Sequence, residues 1–162
     1  RPLAAGDAIP LGAGMADAGR AGTRAAPPLY GGPLRAMRGP HGERFQGEAF
    51  AEFFAADFTV RADSDRMGVR LEGAPIAGEG DEILTCGLVA GAIQIPRGGA
   101  PIVMLADHQT TGGYPVIATV IAADVGRAAQ LVPGERVRFV EVDREEAVAA
   151  LRETLRPMAE VA

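Results

Sequence analysis

Pro101-Ile102-Val103-Met104-Leu105-Ala106-Asp107-His108-Gln109-Thr110-Thr111-Gly112-Gly113-Tyr114-Pro115 changes character twice within fifteen residues. Pro101 to Ala106 is apolar and rich in strand formers, so it reads as a strand driven into a core. Asp107 to Thr111 is an abrupt run of polar side chains at its end. Gly112-Gly113 then permits positive φ and close approach of a ligand. A polar loop carried on a rigid strand is a favourable geometry for a binding site.

Working outward, strand-like segments recur at close intervals: Leu34–Arg38, Phe58–Arg61, Gly68–Leu71, Ala90–Ile95, Tyr114–Ile121 and Arg136–Val142. Between them lie turn signals such as Asp63-Ser64-Asp65, Gly78-Glu79-Gly80-Asp81, Arg97-Gly98-Gly99, Thr111-Gly112-Gly113 and Pro133-Gly134. Short strands with glycine-rich turns predict a mainly β barrel or sandwich rather than a parallel α/β sheet. Two or three short helices interrupt it. Phe45, Ala49 and Phe53, with Phe50 and Phe54, repeat at helical spacing and predict a helix over 47–56 with an aromatic core face. Asp124 is placed to cap a second helix through Leu131, with Val125, Ala128, Ala129 and Leu131 inward. Asp143 and Glu146 have the spacing of a capping box for the last helix, and Pro157 marks its expected end. Residues 1–33, rich in Gly, Ala and Pro, read as an irregular connecting segment, 34–157 as the barrel domain and 158–162 as a tail. Without an initiator Met or an uninterrupted signal core, the chain is expected to follow an upstream segment.

Composition removes several function classes. The 162 residues are 48% hydrophobic and 23% charged, suited to one domain with its own core. Net charge is -5, and Arg127, Arg136 and Arg138 are diluted by Glu135 and Glu141, which argues against a nucleic-acid partner. No apolar run approaches the ~20 residues of a membrane span. All 16 basic residues are Arg. The chain therefore supplies no biotinyl lysine, P-loop lysine or Schiff-base lysine. Cys86 is the only cysteine, reads as a small core hydrophobe and excludes an intrachain disulfide; with His41 and His108 it is too little for a zinc site.

Gly91-Ala92-Ile93-Gln94-Ile95-Pro96 and the 101–115 stretch together closely resemble the signature of the allophanate hydrolase subunit 2 family. Ser64–Leu71, Ala129–Gly134 and Val137-Arg138-Phe139 fit the same family in the same order, so the resemblance runs from about Leu34 to Leu155. It implies a cyclophilin-like β-barrel with helices closing its ends, on the C-terminal half of a polypeptide about twice this length. The N-terminal half, with its own glycine-rich motif, is then a partner for the active cleft. The family includes the C subunit of the ATP-dependent 5-oxoprolinase, the carboxyltransferase part of urea carboxylase and the Kip antagonist. The implied function is a cytoplasmic hydrolase that opens the 5-oxoproline lactam together with the 5-oxoprolinase A and B subunits. ATP is used by the assembled complex at a site on another of its chains. The alternatives are biotin-dependent carboxyl transfer to a urea-like nitrogen, with biotin on another chain, and regulatory binding of a partner. No metal is expected on this chain.

Within that frame Asp107 is the candidate general base, or orients an attacking water or amide nitrogen. Gln109, Thr110 and Thr111 offer neutral donors and acceptors for an amide, lactam or urea. Gly112 and Gly113 allow close approach, Tyr114 supplies a phenolic hydrogen bond or packs on the barrel, and Gln94 adds a second amide contact. Arg66 can clamp a substrate carboxylate. The competing structural roles are a turn cap for Asp107, loop backbone satisfaction for the threonines, and an ion pair of Arg66 with Asp63 or Asp65. His108 fits a solvated loop position equally well.

Overall fold

A computed structural model of the chain describes residues 4–8, 31–45, 47–78 and 82–161, with side chains to Arg156. Most of the 1–33 segment, and the Glu79-Gly80-Asp81 part of one expected turn, lie outside the described residues. In chain order the elements are β1 (Leu34–Arg38), α1 (Ala49–Ala55), β2 (Phe58–Val60), β3 (Gly68–Glu72), β4 (Cys86–Gly87), β5 (Ala92–Gln94), β6 (Ile102–Met104), β7 (Thr111–Gly112), β8 (Val116–Val120), α2 (Ala122–Ala128), β9 (Arg136–Val137), β10 (Phe139–Glu141) and α3 (Arg144–Val161).

Eight strands form one sheet in the order β10-β1-β8-β5-β6-β3-β2-β9. Its two outermost strands, β9 and β10, are separated in the chain by Arg138 alone, so one segment supplies both edges and wraps the sheet into a nearly closed barrel. Phe58 pairs with Val137 antiparallel, while Leu34 pairs with Phe139 parallel. Consuming both edges this way leaves few unpaired strand groups for a second chain to add to. The expected strand over 136–142 is thus one run interrupted at Arg138, where the chain passes from one partner to the other. The Arg138 guanidinium bonds both oxygens of Asp57, which ties the seam to the end of α1.

Alternation of the strands sets the core. Leu34, Ala36, Phe58, Val60, Leu71, Ile93, Val103, Ile117, Val120, Val137 and Phe139 are buried in one cluster. The helix expected over 47–56 forms as α1, and it turns Ala49 and Phe53 inward with Phe50 and Phe54 partly buried. Phe53 stacks on Phe139 at 4.9 Å between ring centroids and lies 5.7 Å from Phe58, so an aromatic trio plugs one end of the barrel.

Several local expectations are corrected. Asp124 does not cap α2: Ile121 holds the N-cap position, and the helix ends at Ala128, leaving Ala129 exposed. The Asp124 carboxylate is instead fully buried and accepts from the Arg35 backbone N–H (2.9 Å), Nε (2.9 Å) and Nη2 (2.7 Å), a larger set of donors than a helix terminus offers. Pro157 does not end α3, which continues to Val161. A proline within a helix forgoes the bond to the carbonyl one turn back, here that of Glu153, and crowds it, a local cost of about 3 kcal/mol that a helix can carry as a kink instead of a stop. The capping box is present: Glu146 accepts from the Asp143 N–H at 2.9 Å and Asp143 from the Glu146 N–H at 2.8 Å. On α3, Ala147 and Leu151 are half-buried, Leu155 is exposed and Ala150 carries the buried contact. Cys86 is not in the core; it is half-buried on β4, paired with Gly112 in a two-stranded ribbon outside the barrel.

Candidate functional site

The site grows from the neighbouring strands β3 and β6. Their ladder pairs Gly68 with Met104 and continues beyond that pair, with Leu105 N–H bonded to Met67 O (3.0 Å) and Asp107 N–H to Arg66 O (3.1 Å). Arg66 and Asp107, 41 residues apart in sequence, are therefore held side by side. The Arg66 Nε lies 2.9 Å from Asp107 Oδ2, and its Nη2 donates to Oδ1 at 3.3 Å. Neither Asp63 nor Asp65 is the partner of Arg66. Asp63 takes the Arg61 guanidinium at 2.9 Å, and Asp65 Oδ1 accepts the Met67 and Gly68 N–H groups at 2.9 and 3.2 Å. Asp65 thus closes the turn through backbone groups, and the Arg66 side chain reaches across to the next strand.

Beside this pair opens a cleft of about 330 Å³, lined by Ser64, Asp65, Arg66, Val69, Leu105 and Ala106 on one side and Ala129, Leu131 and Pro133 on the other. Sequence reading placed no functional residue in 129–133. The signal was present in a different form, since Ser64–Leu71 and Ala129–Gly134 were two of the segments carrying the family resemblance, and both contribute to this one cleft.

The polar loop follows directly. Gln109, Thr110 and Thr111 are exposed and His108 is half-buried, its Nδ1 lying 2.6 Å from Gln109 O. The segment is less free than a turn. Thr111 and Gly112 form β7 against β4, Leu88 N–H bonds Thr110 O at 2.9 Å, and Ile83 N–H bonds Gly113 O at 2.8 Å. Two-residue ladders carry no readable alternation, which is why the sequence shows a turn there. Gly112 and Gly113 do not adopt the positive φ expected of them. Gly112 is required for space instead: a Cβ there would stand 2.7 Å from both Gln94 Nε2 and Leu88 Cδ1, whereas one on Gly113 would meet only Ile83 O at 3.5 Å.

Gln94 is 1% exposed and donates from Nε2 to Tyr114 O at 3.2 Å. It braces the loop from beneath, and Tyr114 is half-buried above it. The arrangement therefore brings Arg66 and Asp107 together, presents Gln109, Thr110 and Thr111 beyond them, and puts Gln94, Gly112 and Tyr114 into its foundation. Chemically it offers a guanidinium–carboxylate pair beside a cleft with mainly apolar walls, while Gln109, Thr110 and Thr111 follow in the exposed loop and do not line that cleft. Among the described residues, no group of three or more His, Cys, Asp or Glu could hold a metal, and no helix is long and apolar enough to cross a membrane.

The chain is similar to known proteins along most of its length. It is 37% identical over 158 residues to the C subunit of 5-oxoprolinase from Escherichia coli (strain K12), covering 96% of this chain and 50% of that protein. It is 31% identical over 123 residues to urea amidolyase of Saccharomyces cerevisiae, covering 66% of this chain and 6% of that one. Among solved structures, the crystal structure of the Kluyveromyces lactis urea carboxylase matches with a TM-score of 0.74 and 25% identity, covering 80% of this chain and 12% of that chain. The chain spans about half the length of the E. coli relative. Residues 1–141 match the carboxyltransferase domain, subdomain A and B, and with the barrel and its 5-oxoprolinase and urea carboxylase relatives this places the chain in that family.

Proposed function

We propose that this chain is part of the C subunit of an ATP-dependent 5-oxoprolinase and that, with the partner A and B subunits, it opens the lactam of 5-oxoproline to give glutamate. The observation that carries this reading is the 37% identity to a 5-oxoprolinase C subunit across 96% of the chain. In the reaction the lactam C–N bond breaks, water oxygen adds to the carbonyl carbon and the nitrogen leaves protonated. ATP hydrolysis accompanies it, at phosphate-handling groups elsewhere in the complex. In this assignment Asp107 takes the proton of the attacking water, and Gln109, Thr110 and Thr111 hold the amide.

The test is glutamate production from 5-oxoproline and ATP by the full-length protein co-expressed with the A and B subunits. Asp107→Asn is expected to lower turnover by about a hundredfold or more with the complex still assembled, the usual scale for loss of a general base. Full activity in that variant removes Asp107 from the chemistry. An inactive wild-type complex overturns the assignment. It would turn attention to carboxyl transfer from carboxybiotin to a urea-like nitrogen, the reading favoured by the 0.74 TM-score to a urea carboxylase.

A further inference from the structure

We propose that the cleft beside Arg66 binds a small organic carboxylate, and that this carboxylate takes the place of Asp107 on the Arg66 guanidinium. The inference rests on the reading of Arg66 and Asp107 as site residues and adds to it the exchange between Asp107 and the ligand. Asp107 meets Arg66 through two contacts, Nε to Oδ2 at 2.9 Å and Nη2 to Oδ1 at 3.3 Å, the fork geometry by which guanidinium recognises any carboxylate. The Arg66 side chain is 84% exposed and that of Asp107 48% exposed, so the pair is well solvated and contributes little to the fold. Such a pair exchanges at small cost when a competing carboxylate brings further contacts.

Those contacts are at hand. Arg66 itself lines the cleft of about 330 Å³, and Val69, Leu105, Leu131 and Pro133 give it apolar walls for a compact ring. Asp65, the one acid of that lining, is engaged in its own turn, its Oδ1 accepting two backbone N–H groups. The backbones of Arg66 and Asp107 stay hydrogen-bonded to each other at 3.1 Å, so exchange requires only side-chain rotation. Its consequence is a coupling: the ligand that occupies Arg66 releases both oxygens of Asp107, which are then free to take new hydrogen-bond partners.

The test uses the full-length protein and two unreactive probes, cyclopentanecarboxylate and its neutral carboxamide, titrated by calorimetry and by the Arg66 Nε–H resonance. Asp107→Asn removes the internal competitor and is expected to tighten carboxylate binding severalfold. Arg66→Gln is expected to weaken it about tenfold, the scale of one charge-assisted contact. Neither change moves the carboxamide. Carboxylate binding that is unchanged or weaker in Asp107→Asn, or carboxamide binding as tight as carboxylate, overturns the proposal. Both probes lack a lactam, so the result stands apart from the 5-oxoproline assay: an inactive complex that still shows the exchange defeats the enzymatic assignment alone.

Discussion

Replacing Asp124 with alanine tests how much of the barrel's stability depends on one buried charge. The carboxylate receives three hydrogen bonds from Arg35, at 2.7 to 2.9 Å, and faces Arg127 Nη1 at 3.2 Å. Hydrogen bonds to charged groups contribute about 1.5–3 kcal/mol each, but a simple sum overshoots. Arg35 is 37% exposed and regains water when its partner is lost, and Arg127 keeps the Gly32 and Pro33 carbonyls. Removing one member of a buried pair costs about 3–5 kcal/mol; solvent at Arg35 argues for the lower end, about 3 kcal/mol. Against a domain stability of about 5–15 kcal/mol the variant should still fold. Urea unfolding followed by circular dichroism reads this as a lower midpoint at unchanged slope. The control is Glu141→Ala, because Arg38 and Glu141 form a similar fork, at 2.7 and 3.2 Å, between exposed side chains. It should fall within the scatter of the measurement. A loss below about 1 kcal/mol for Asp124→Ala, or equal losses in both variants, would refute burial as the source of the difference.

The same carboxylate has a pH signature. Burial raises the Asp124 pKa, but the Arg35 hydrogen bonds and the charges of Arg35 and Arg127 outweigh it and hold the group below the usual carboxylate range. Its contribution is therefore complete above the unfolded value of about 3.9 and is lost as pH falls through the folded one. Acid titration of stability should be shallower in Asp124→Ala than in the parent. Gly112→Ala should cost about 1–3 kcal/mol and disturb the Thr110–Thr111 backbone, checked by unfolding and amide exchange, because its Cβ meets Leu88 and Gln94 at 2.7 Å. Asp143→Ala should cost about 1 kcal/mol and fray the start of α3, seen as lost helical ellipticity, by breaking the reciprocal cap with Glu146.

Local patterns read well from sequence because their determinants are neighbours. Leu34–Arg38 alternates and is a strand; Ala49 and Phe53 share a helical face and are buried, while Phe45 is buried from the extended segment before the helix; Asp143 and Glu146 have the spacing of the cap they form. What resisted reading depends on partners far along the chain. Asp124 resembles a helix cap until Arg35 is brought beside it, and Arg66 has two nearer acids that a sequence cannot show to be engaged. The resemblance located the candidate loop, yet only the β3–β6 ladder reveals that Arg66 and Asp107 meet. Gly112 likewise reads as a flexible turn residue, when its role is the room it leaves for Gln94.

The closing segment also has a meaning in time. Leu34 must wait for Phe139, and Phe58 for Val137, before either edge of the sheet is covered. During synthesis most of the barrel's strands leave the ribosome while both edges stay open, and ring closure comes only with the last strands of the sheet. Such long-range pairing slows folding and prolongs the interval in which a nascent chain can associate wrongly. A stop or frameshift just before Arg136 would accordingly leave the interior apolar residues of the earlier strands in place but deny them their clasp, and aggregation rather than mild instability is the expected fate of that product.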